Sequence, residues 1–257
     1  MVQPTDTAYG RLRVFNAAMG TLHLLQGVAM LLLSSDFTLP LRTTFLESDP
    51  QEEISTLTST VFDLRLGPLV AVFLLISATA HYLLASPMLY PWYVRNLRKH
   101  INYLRWYEYA LSSSVMIVVI AMLSGAFDLP SLVLLFALNA TMIFFGLMME
   151  LHNQTTERTD WTSFNLGVFA GAVPWVIIFW YFFGAVAISE DAIPGFVYGI
   201  LISLFIFYNI FAVNMFLQYR EVGPWRDYLF GERVYILLSL FAKSALAWQV
   251  FGGTLRG

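Results

Sequence analysis

Two charged side chains lie inside long apolar segments of this chain, Glu108 and Lys243. Lys243 interrupts the apolar run 239–248, and Glu108 lies near the start of the apolar run 106–124. A charge at membrane depth costs several kcal/mol unless it is paired, neutralised or covalently modified. An amine held there is suited to form a Schiff base with an aldehyde, and a nearby carboxylate is suited to balance its charge. We therefore expect the two residues to pair; the alternatives are a purely structural ion pair, or a Glu108 side chain that extends to the membrane surface.

Further polar residues are predicted at the depth of this pair, one of them a turn before the lysine. They are His23, Ser77, His81 and Ser239. Histidine exchanges protons near neutral pH, although a single buried histidine is more often a hydrogen-bonded packing element than a proton acceptor. Two histidines and two serines facing one Glu–Lys pair nevertheless indicate a small proton-handling cavity. Its predicted members are His23, His81, Ser77 and Glu108.

Seven apolar runs must position these residues. They cover residues 14–33, 66–86, 106–124, 131–149, 162–188, 196–217 and 234–251. Each has close to the ~20 residues with which a helix crosses ~30 Å of hydrocarbon, and each is too long and too continuous for a barrel strand. Hydrophobic residues make up 58% of the 257 and charged residues 12%, so the runs indicate membrane spans rather than a soluble core. Short connections between most runs predict an all-α membrane protein with one seven-helix domain over residues 1–257.

The distribution of Lys and Arg predicts the orientation of this bundle. Of the 14 such residues, ten fall on the side of the N-terminus, and only Arg42, Arg65 and Arg256 fall on the other side. Positive residues concentrate in cytoplasmic loops. We therefore expect a multi-pass protein of the cell membrane, with the N-terminus in the cytoplasm and the C-terminus outside.

One connection is long and acidic, residues 34–65, and it would lie outside the cell. Its acidic residues are Asp36, Glu47, Asp49, Glu52, Glu53 and Asp63. The Thr-rich stretch 54–61 favours a strand. Loops longer than ~12–15 residues are often functional or disordered. Two interpretations stay open, an ordered cap that helps to pair two protomers and a plain solvated loop.

Several classes of site are not predicted. Without cysteine, the chain can form neither a disulfide nor a thiolate metal site. No Asp lies in an apolar run and no Gly-x-Ser-x-Gly motif is present, so a catalytic constellation such as that of an intramembrane protease has nothing to build on. We expect no enzyme activity, no metal and no nucleic-acid partner, and we expect the lipid bilayer as the surroundings.

Longer motifs carry a family resemblance. Arg105-Trp-Tyr-Glu108 resembles the Arg-x-x-acid motif on the third helix of microbial rhodopsins, which faces a retinal Schiff base on the seventh. Four strings are similar to heliorhodopsins in particular, and the resemblance extends over nearly the whole chain, including 23–26 and the long loop. These strings are 108–117, 194–200, 231–233 and 239–249.

The resemblance implies a cofactor, an orientation and an assembly. All-trans retinal would be bound covalently to Lys243 as a protonated Schiff base, with Glu108 as its counterion. The N-terminus would lie in the cytoplasm, as the Lys and Arg count predicts independently, and the protein would form a homodimer. A polyene needs a long apolar slot with aromatic sides. The candidate residues of its pocket, besides these two, are Ser239, Ser113, Met116, Asn139, Met142, Trp175 and Tyr208.

Two positions separate this chain from light-driven proton pumps. In proton-pumping microbial rhodopsins, one carboxylate lies one turn before the lysine and another lies three turns beyond the counterion. This chain has Ser239 and Val119 at those positions. We therefore predict a light-sensing photoreceptor with local proton transfer and no net ion pumping. An unidentified cytoplasmic signalling partner would dock on the basic loops around 95–99 or 220–226, although basic loops also arise from membrane insertion alone.

The alternative function is a light-gated or light-driven proton or ion transporter. Its path would use Glu108, His23 and His81, and it would need continuous polar residues across the outer half of the membrane. Only scattered polar groups such as Ser124 and Asn139 are predicted there.

Overall fold

The computed structural model describes residues 5–47, 55–189 and 193–256 of the chain. These residues form eight α-helices and one β-hairpin. The helices are α1 (Asp6–Leu33), α2 (Leu66–Ala85), α3 (Tyr90–Leu97), α4 (Tyr103–Leu123), α5 (Leu129–His152), α6 (Thr162–Ile188), α7 (Gly195–Tyr219) and α8 (Tyr228–Val250). A 3₁₀ turn (Gly223–Arg226) precedes α8, and a π-helical turn (Phe251–Leu255) follows it.

Among the described residues, seven helices are long and apolar enough to cross a membrane, α8 being counted through Leu255. The prediction of an all-α bundle with seven spans is therefore confirmed. Helix α3 is short and lies in the connection between the second and third spans. Because the spans alternate in direction, α1, α4, α6 and α8 begin at the end of the bundle that carries the N-terminus, which we call the N-terminal end. The β-hairpin lies at the opposite end, which we call the hairpin end.

The hairpin is formed by β1 (Thr38–Glu47) and β2 (Ser55–Arg65), which pair antiparallel. The strand predicted from the Thr-rich stretch is thus present from Ser55 onward. Ile54 of that stretch and the acidic residues Asp49, Glu52 and Glu53 lie outside the described residues. Backbone bonds attach the hairpin to the bundle, since the Ser35 amide donates to the Leu255 carbonyl at 2.9 Å and the Arg42 amide donates to the Phe127 carbonyl at 2.8 Å.

One face of the hairpin carries apolar residues near the bundle and again farther out, with the pair Thr43 and Ser59 between them. Leu41 is buried, and Leu39 and Leu64 pack on the core of the bundle. Farther out, Phe45 lies opposite Leu57 in the register. These two side chains are 57% and 54% exposed, so the outer apolar residues of this face lie beyond the bundle that would cover them.

The helices extend beyond the apolar runs at the N-terminal end. Glu108 and Lys243 are the only charged residues within the apolar runs as the sequence bounds them, but the helices are longer than those runs. Arg105, Glu150 and Glu232 also lie in spanning helices, and all three are buried. Side-chain capping explains the earlier starts of α4 and α8: the side-chain oxygen of Asn102 accepts from the Arg105 amide at 3.2 Å, and the Asp227 carboxylate accepts from the Leu229 amide at 3.0 Å.

The two halves of the bundle differ in what they bury. In the hairpin half, α2, α4 and α8 contribute side chains with no exposed surface, among them Phe73, Ile117, Ile120, Leu246 and Val250. In the N-terminal half, buried charged and amide side chains lie between aromatic rings. Burial of polar groups requires hydrogen-bond partners, so this half sets the geometry of the polar side chains described next.

Candidate functional site

Lys243 and Glu108 form the buried ion pair at the centre of the site. Lys243 Nζ donates to Glu108 Oε1 at 3.0 Å and to Ser239 Oγ at 2.7 Å. The two charged side chains are only 4% and 6% exposed. Ser77 of α2 donates its hydroxyl to the same Glu108 oxygen at 2.6 Å. Three helices therefore position one amine, one carboxylate and two hydroxyls, all of them residues that the sequence singles out.

The two predicted histidines lie beside this pair and face each other. The rings of His23 and His81 stack with centroids 5.6 Å apart and planes 11° from parallel. His81 Nδ1 lies 2.8 Å from the side-chain oxygen of Asn16. Within the described part of the chain, neither ring nitrogen of His23 has a hydrogen-bond partner. A Cβ at Gly20 would lie 3.1 Å from His81 Cβ, so a glycine there lets α1 approach α2 closely enough for these contacts.

A narrow cavity of about 50 Å³ adjoins Lys243 and continues toward a larger one. Five of the predicted pocket residues line the narrow cavity together with the lysine: Ser113, Met116, Met142, Tyr208 and Ser239. The larger cavity, of about 420 Å³, is bordered by α4, α5, α6, α7 and α8, and Trp175 lines it. Met142 and Tyr208 line both, so the two cavities are neighbours.

Asn139 differs from the other predicted pocket residues, because it lines neither cavity. Its side-chain amide donates to the hydroxyls of Ser113 and Ser114 at 2.8 and 3.0 Å. Tyr208 in turn donates its hydroxyl to the Ser113 carbonyl at 2.8 Å. Asn139 therefore supports the wall from behind and does not form it.

The cavities fit an elongated apolar molecule that is attached at one end to an amine. Their walls are mostly aliphatic and aromatic, and the larger volume lies within the ~300–1,000 Å³ of small-molecule sites. Two glycines keep the space open. A Cβ at Gly146 would lie 2.4 Å from the Trp106 ring, and a Cβ at Gly171 would lie 2.4 Å from the sulfur of Met142. A polyene with an aldehyde end, such as retinal, matches this shape and this chemistry.

A second buried charged cluster was missed by the sequence analysis. Arg105 forms ion pairs with both Glu150 and Glu232, and all three side chains are at most 3% exposed. Glu150 also accepts from the Trp106 indole at 2.6 Å, the Asn102 backbone amide at 3.0 Å and the Tyr228 hydroxyl at 3.1 Å.

Glu232 has its own set of donors. It accepts from the Asn102 side-chain amide at 2.6 Å and from the Tyr93 hydroxyl at 3.0 Å. The sequence does hold one indication of the cluster, the position of its members. Each lies within two residues of the end of an apolar run: Arg105, Glu150 and Glu232. The Arg-x-x-acid motif thus directs its arginine away from the lysine and into this cluster.

The cluster connects to the surface at the N-terminal end. Tyr228, which donates to Glu150, stacks on His100 with ring centroids 4.9 Å apart. Both rings line a polar surface cavity of about 200 Å³. Burial lowers the pKa of His100, so this ring is neutral at physiological pH. Buried polar groups therefore extend from the Arg105 cluster to the N-terminal surface.

The hairpin half has no comparable set of buried polar side chains in the described residues. Ser124 is buried there, but its hydroxyl donates to the Ile120 carbonyl of its own helix at 2.8 Å. Val119, which occupies the position of a second carboxylate in pumps, is fully buried in the apolar core. The polar groups around Lys243 are thus continuous toward one end of the bundle only.

Comparison with known proteins identifies the family to which this arrangement belongs. A family model described as Heliorhodopsin matches residues 12–255 of the 257-residue chain. No curated protein matches the sequence. The matched range includes the ion pair, both histidines, both cavities and the Arg105 cluster.

Proposed function

The chain belongs to the heliorhodopsin family, a family of retinal-binding, light-responsive membrane proteins, and from this we propose that it is a photoreceptor that moves a proton locally and pumps no ion. The observation that carries the proposal is the distribution of buried polar groups. They surround Lys243 and continue toward the N-terminal end, whereas the described part of the hairpin half buries only scattered polar side chains such as Ser124 and Asn139 among apolar ones.

We propose that the attachment residue is Lys243 and that the retinal is all-trans. The chain has two lysines, and the other, Lys99, is exposed in the connection before α4. Lys243 lines the narrow cavity that adjoins the larger one, whereas Lys99 lines neither. When bound, retinal supplies a light-absorbing polyene whose aldehyde carbon is joined to the lysine nitrogen with loss of water. A protonated Schiff base at this nitrogen is the form that a carboxylate 3.0 Å away favours.

The residues around the nitrogen have separate tasks in this proposal. Glu108 balances the positive charge, and Ser77 holds the carboxylate by donating to the oxygen that faces the lysine. Ser239 accepts from the nitrogen and limits its rotation. His23 and His81 are the nearby bases that can receive a proton released at the ion pair. The proton then stays within the protein.

We infer the absence of pumping from the polar access to the Lys243 nitrogen, which the described part of the chain provides from one side of the bundle only. Net transport needs polar access from both sides of the nitrogen, used alternately. A transporter remains the second candidate, because the Arg105 cluster and Tyr228 would supply a half-path to the N-terminal surface. On the hairpin side, Ile117, Ile120, Leu246 and Val250 fill the space between the lysine and the surface in the described residues. This packing favours the sensor.

We propose that the N-terminal end faces the cytoplasm and that two copies pair through their hairpins. The first proposal rests on the Lys and Arg count. The second rests on the hairpin, where the apolar side chains of Phe45, Leu57 and Phe62 on one face are about half exposed and could be covered by a second copy. An unidentified cytoplasmic partner would then meet the exposed basic residues Arg95, Lys99 and the polar cavity beside them.

The experiment that separates sensor from transporter measures charge movement. Cells that express the protein with retinal are illuminated, and the pH of the suspension is followed with and without a protonophore, alongside voltage-clamped photocurrents. We expect a light-induced spectral change with no sustained pH change and no steady current. A sustained, protonophore-sensitive signal that scales with light would overturn the sensor proposal and establish the transporter.

A further inference from the structure

A chain of buried polar side chains links the Arg105 cluster to the histidine pair. Tyr93 lies 3.0 Å from Glu232, Asn16 interacts with the Tyr93 phenol, and the Asn16 side-chain oxygen lies 2.8 Å from His81 Nδ1. The four residues come from α8, α3, α1 and α2, and each is buried. An amide, a phenol and an imidazole can each donate or accept, so the direction of every bond in the chain must be worked out.

The donor and acceptor roles can be assigned first at Glu232. One carboxylate oxygen is paired with Arg105, and the other accepts from the side-chain amide of Asn102. That Asn102 group must be the NH₂, because the Asn102 oxygen accepts the Arg105 backbone amide. Glu232 is therefore an acceptor at both oxygens. It follows that Tyr93 donates its hydroxyl hydrogen to Glu232.

The role of Tyr93 toward Glu232 then determines its role toward Asn16. Burial raises the pKa of Tyr93 well above its usual range, so the phenol keeps its single hydrogen. Since that hydrogen is given to Glu232, the Tyr93 oxygen can only accept from Asn16. Asn16 must therefore present its NH₂ group to Tyr93.

An independent contact gives Asn16 the same orientation. Its side-chain nitrogen also donates to the Leu12 carbonyl at 2.9 Å, one turn earlier in α1. Because a carbonyl can only accept, this bond by itself shows that the NH₂ group faces Leu12. The side-chain oxygen, which carries no hydrogen, is left to face His81 Nδ1.

We propose that Asn16 is a positioning residue that holds His81 in the tautomer with its hydrogen on Nδ1 and leaves Nε2 bare as the proton acceptor of the site. The Nε2–H tautomer, which histidine prefers in water, would present its lone pair to the Asn16 oxygen and lose the hydrogen bond. The groups that face the ring are His23, stacked on it, and the charges of Glu108 and Lys243. A bare Nε2 can take a proton released at that ion pair, and this consequence rests on the proposed function.

The tautomer can be read without light and without retinal. The chain has four histidines, so ring-¹⁵N-labelled protein gives a simple solid-state NMR spectrum, and His81→Phe identifies the His81 signals by their loss. The dark spectrum is recorded for the wild type with and without retinal. We expect His81 to carry one ring hydrogen, on Nδ1, in both.

Two variants of Asn16 separate positioning from simple packing. Asn16→Leu removes the acceptor at nearly constant volume, and most His81 rings are then expected as the Nε2–H tautomer. Asn16→Asp restores an acceptor, so the Nδ1–H tautomer should return. The matched control is Asn96→Leu: the Asn96 amide donates to the Trp92 carbonyl of its own helix, so the His81 signals should not move.

Three results would overturn the proposal. They are a wild-type His81 with its hydrogen on Nε2, a doubly protonated wild-type ring, and an Asn16→Leu ring that keeps its hydrogen on Nδ1. If Asn16→Leu does not fold, the wild-type and Asn16→Asp spectra still decide the question. A visible pigment with the wrong tautomer would refute this inference alone, whereas the right tautomer without any pigment would refute the proposed function alone.

Discussion

Replacing Glu108 by glutamine tests the central electrostatic contact of the site. The substitution keeps the shape of the side chain and removes its charge, which lies 3.0 Å from Lys243 Nζ. At that separation two unit charges attract by about 5–6 kcal/mol when the effective dielectric constant is about 20. Both groups are almost fully buried, so salt and water screen this attraction little.

The size of this term predicts a change of colour. A tenfold change in an equilibrium corresponds to about 1.4 kcal/mol, so the loss should lower the ratio of protonated to neutral nitrogen by roughly four orders of magnitude. In Glu108→Gln with retinal, absorption should therefore move from the visible to the near-ultraviolet at neutral pH. The assay is the absorption spectrum of the purified variant beside that of the wild type.

Ser77→Ala is the matched control for this prediction. It removes the 2.6 Å hydrogen bond to the same carboxylate oxygen and leaves the charge in place. A single hydrogen bond to a charged group contributes about 1.5–3 kcal/mol, so the band should shift but stay in the visible. An identical visible band in Glu108→Gln and the wild type would show that another group is the counterion, and the reasoning would fail.

Three further predictions concern assembly, the cavity and stability. Leu57→Asp, which places a charge on the exposed apolar hairpin face, should convert a dimer to a monomer in light scattering of the detergent-solubilised protein. Gly171→Val should lower the yield of pigment at saturating retinal, because its side chain must push Met142 into the cavity. Arg105→Leu leaves two buried carboxylates without their cation and should lower the free energy of unfolding by about 3–5 kcal/mol in denaturant titrations.

Each of these has a control in the same chain. Thr58→Asp lies on the opposite hairpin face and should leave the dimer intact. Gly184→Val makes the same substitution in α6 where a Cβ meets nothing within 4 Å, and it should not affect the pigment yield. Arg98→Leu breaks an exposed ion pair with Asp6 and should change stability by at most about 1 kcal/mol. Equal effects in a variant and its control would contradict the corresponding prediction.

The apolar runs predicted the spanning helices because continuous hydrophobicity of that length has one structural solution in a bilayer. The same reasoning brought Glu108 and Lys243 to attention, since a charge is conspicuous only where everything around it is apolar. The Thr-rich stretch likewise indicated β2. Its partner β1, which includes Pro40 and Arg42, has no comparable pattern.

The Arg105 cluster was not predicted from the sequence, for the opposite reason. Arg105, Glu150 and Glu232 lie at the ends of apolar runs, where charged residues are ordinarily solvated, and only the packed bundle shows that they face inward. The contacts of Asn16 with Tyr93 and His81 were equally inaccessible. No periodicity relates residues in three different helices, so these contacts depend on the tertiary packing that Gly20 permits.

The most direct test of the account is the visible spectrum of Lys243→Ala with added all-trans retinal, before and after illumination. The wild type and Lys99→Ala, which changes only the exposed lysine, should both bind retinal as a coloured pigment whose spectrum changes in light. Lys243→Ala should fold but remain colourless in the visible. A visible band in Lys243→Ala equal to that of the wild type would contradict the account at its centre.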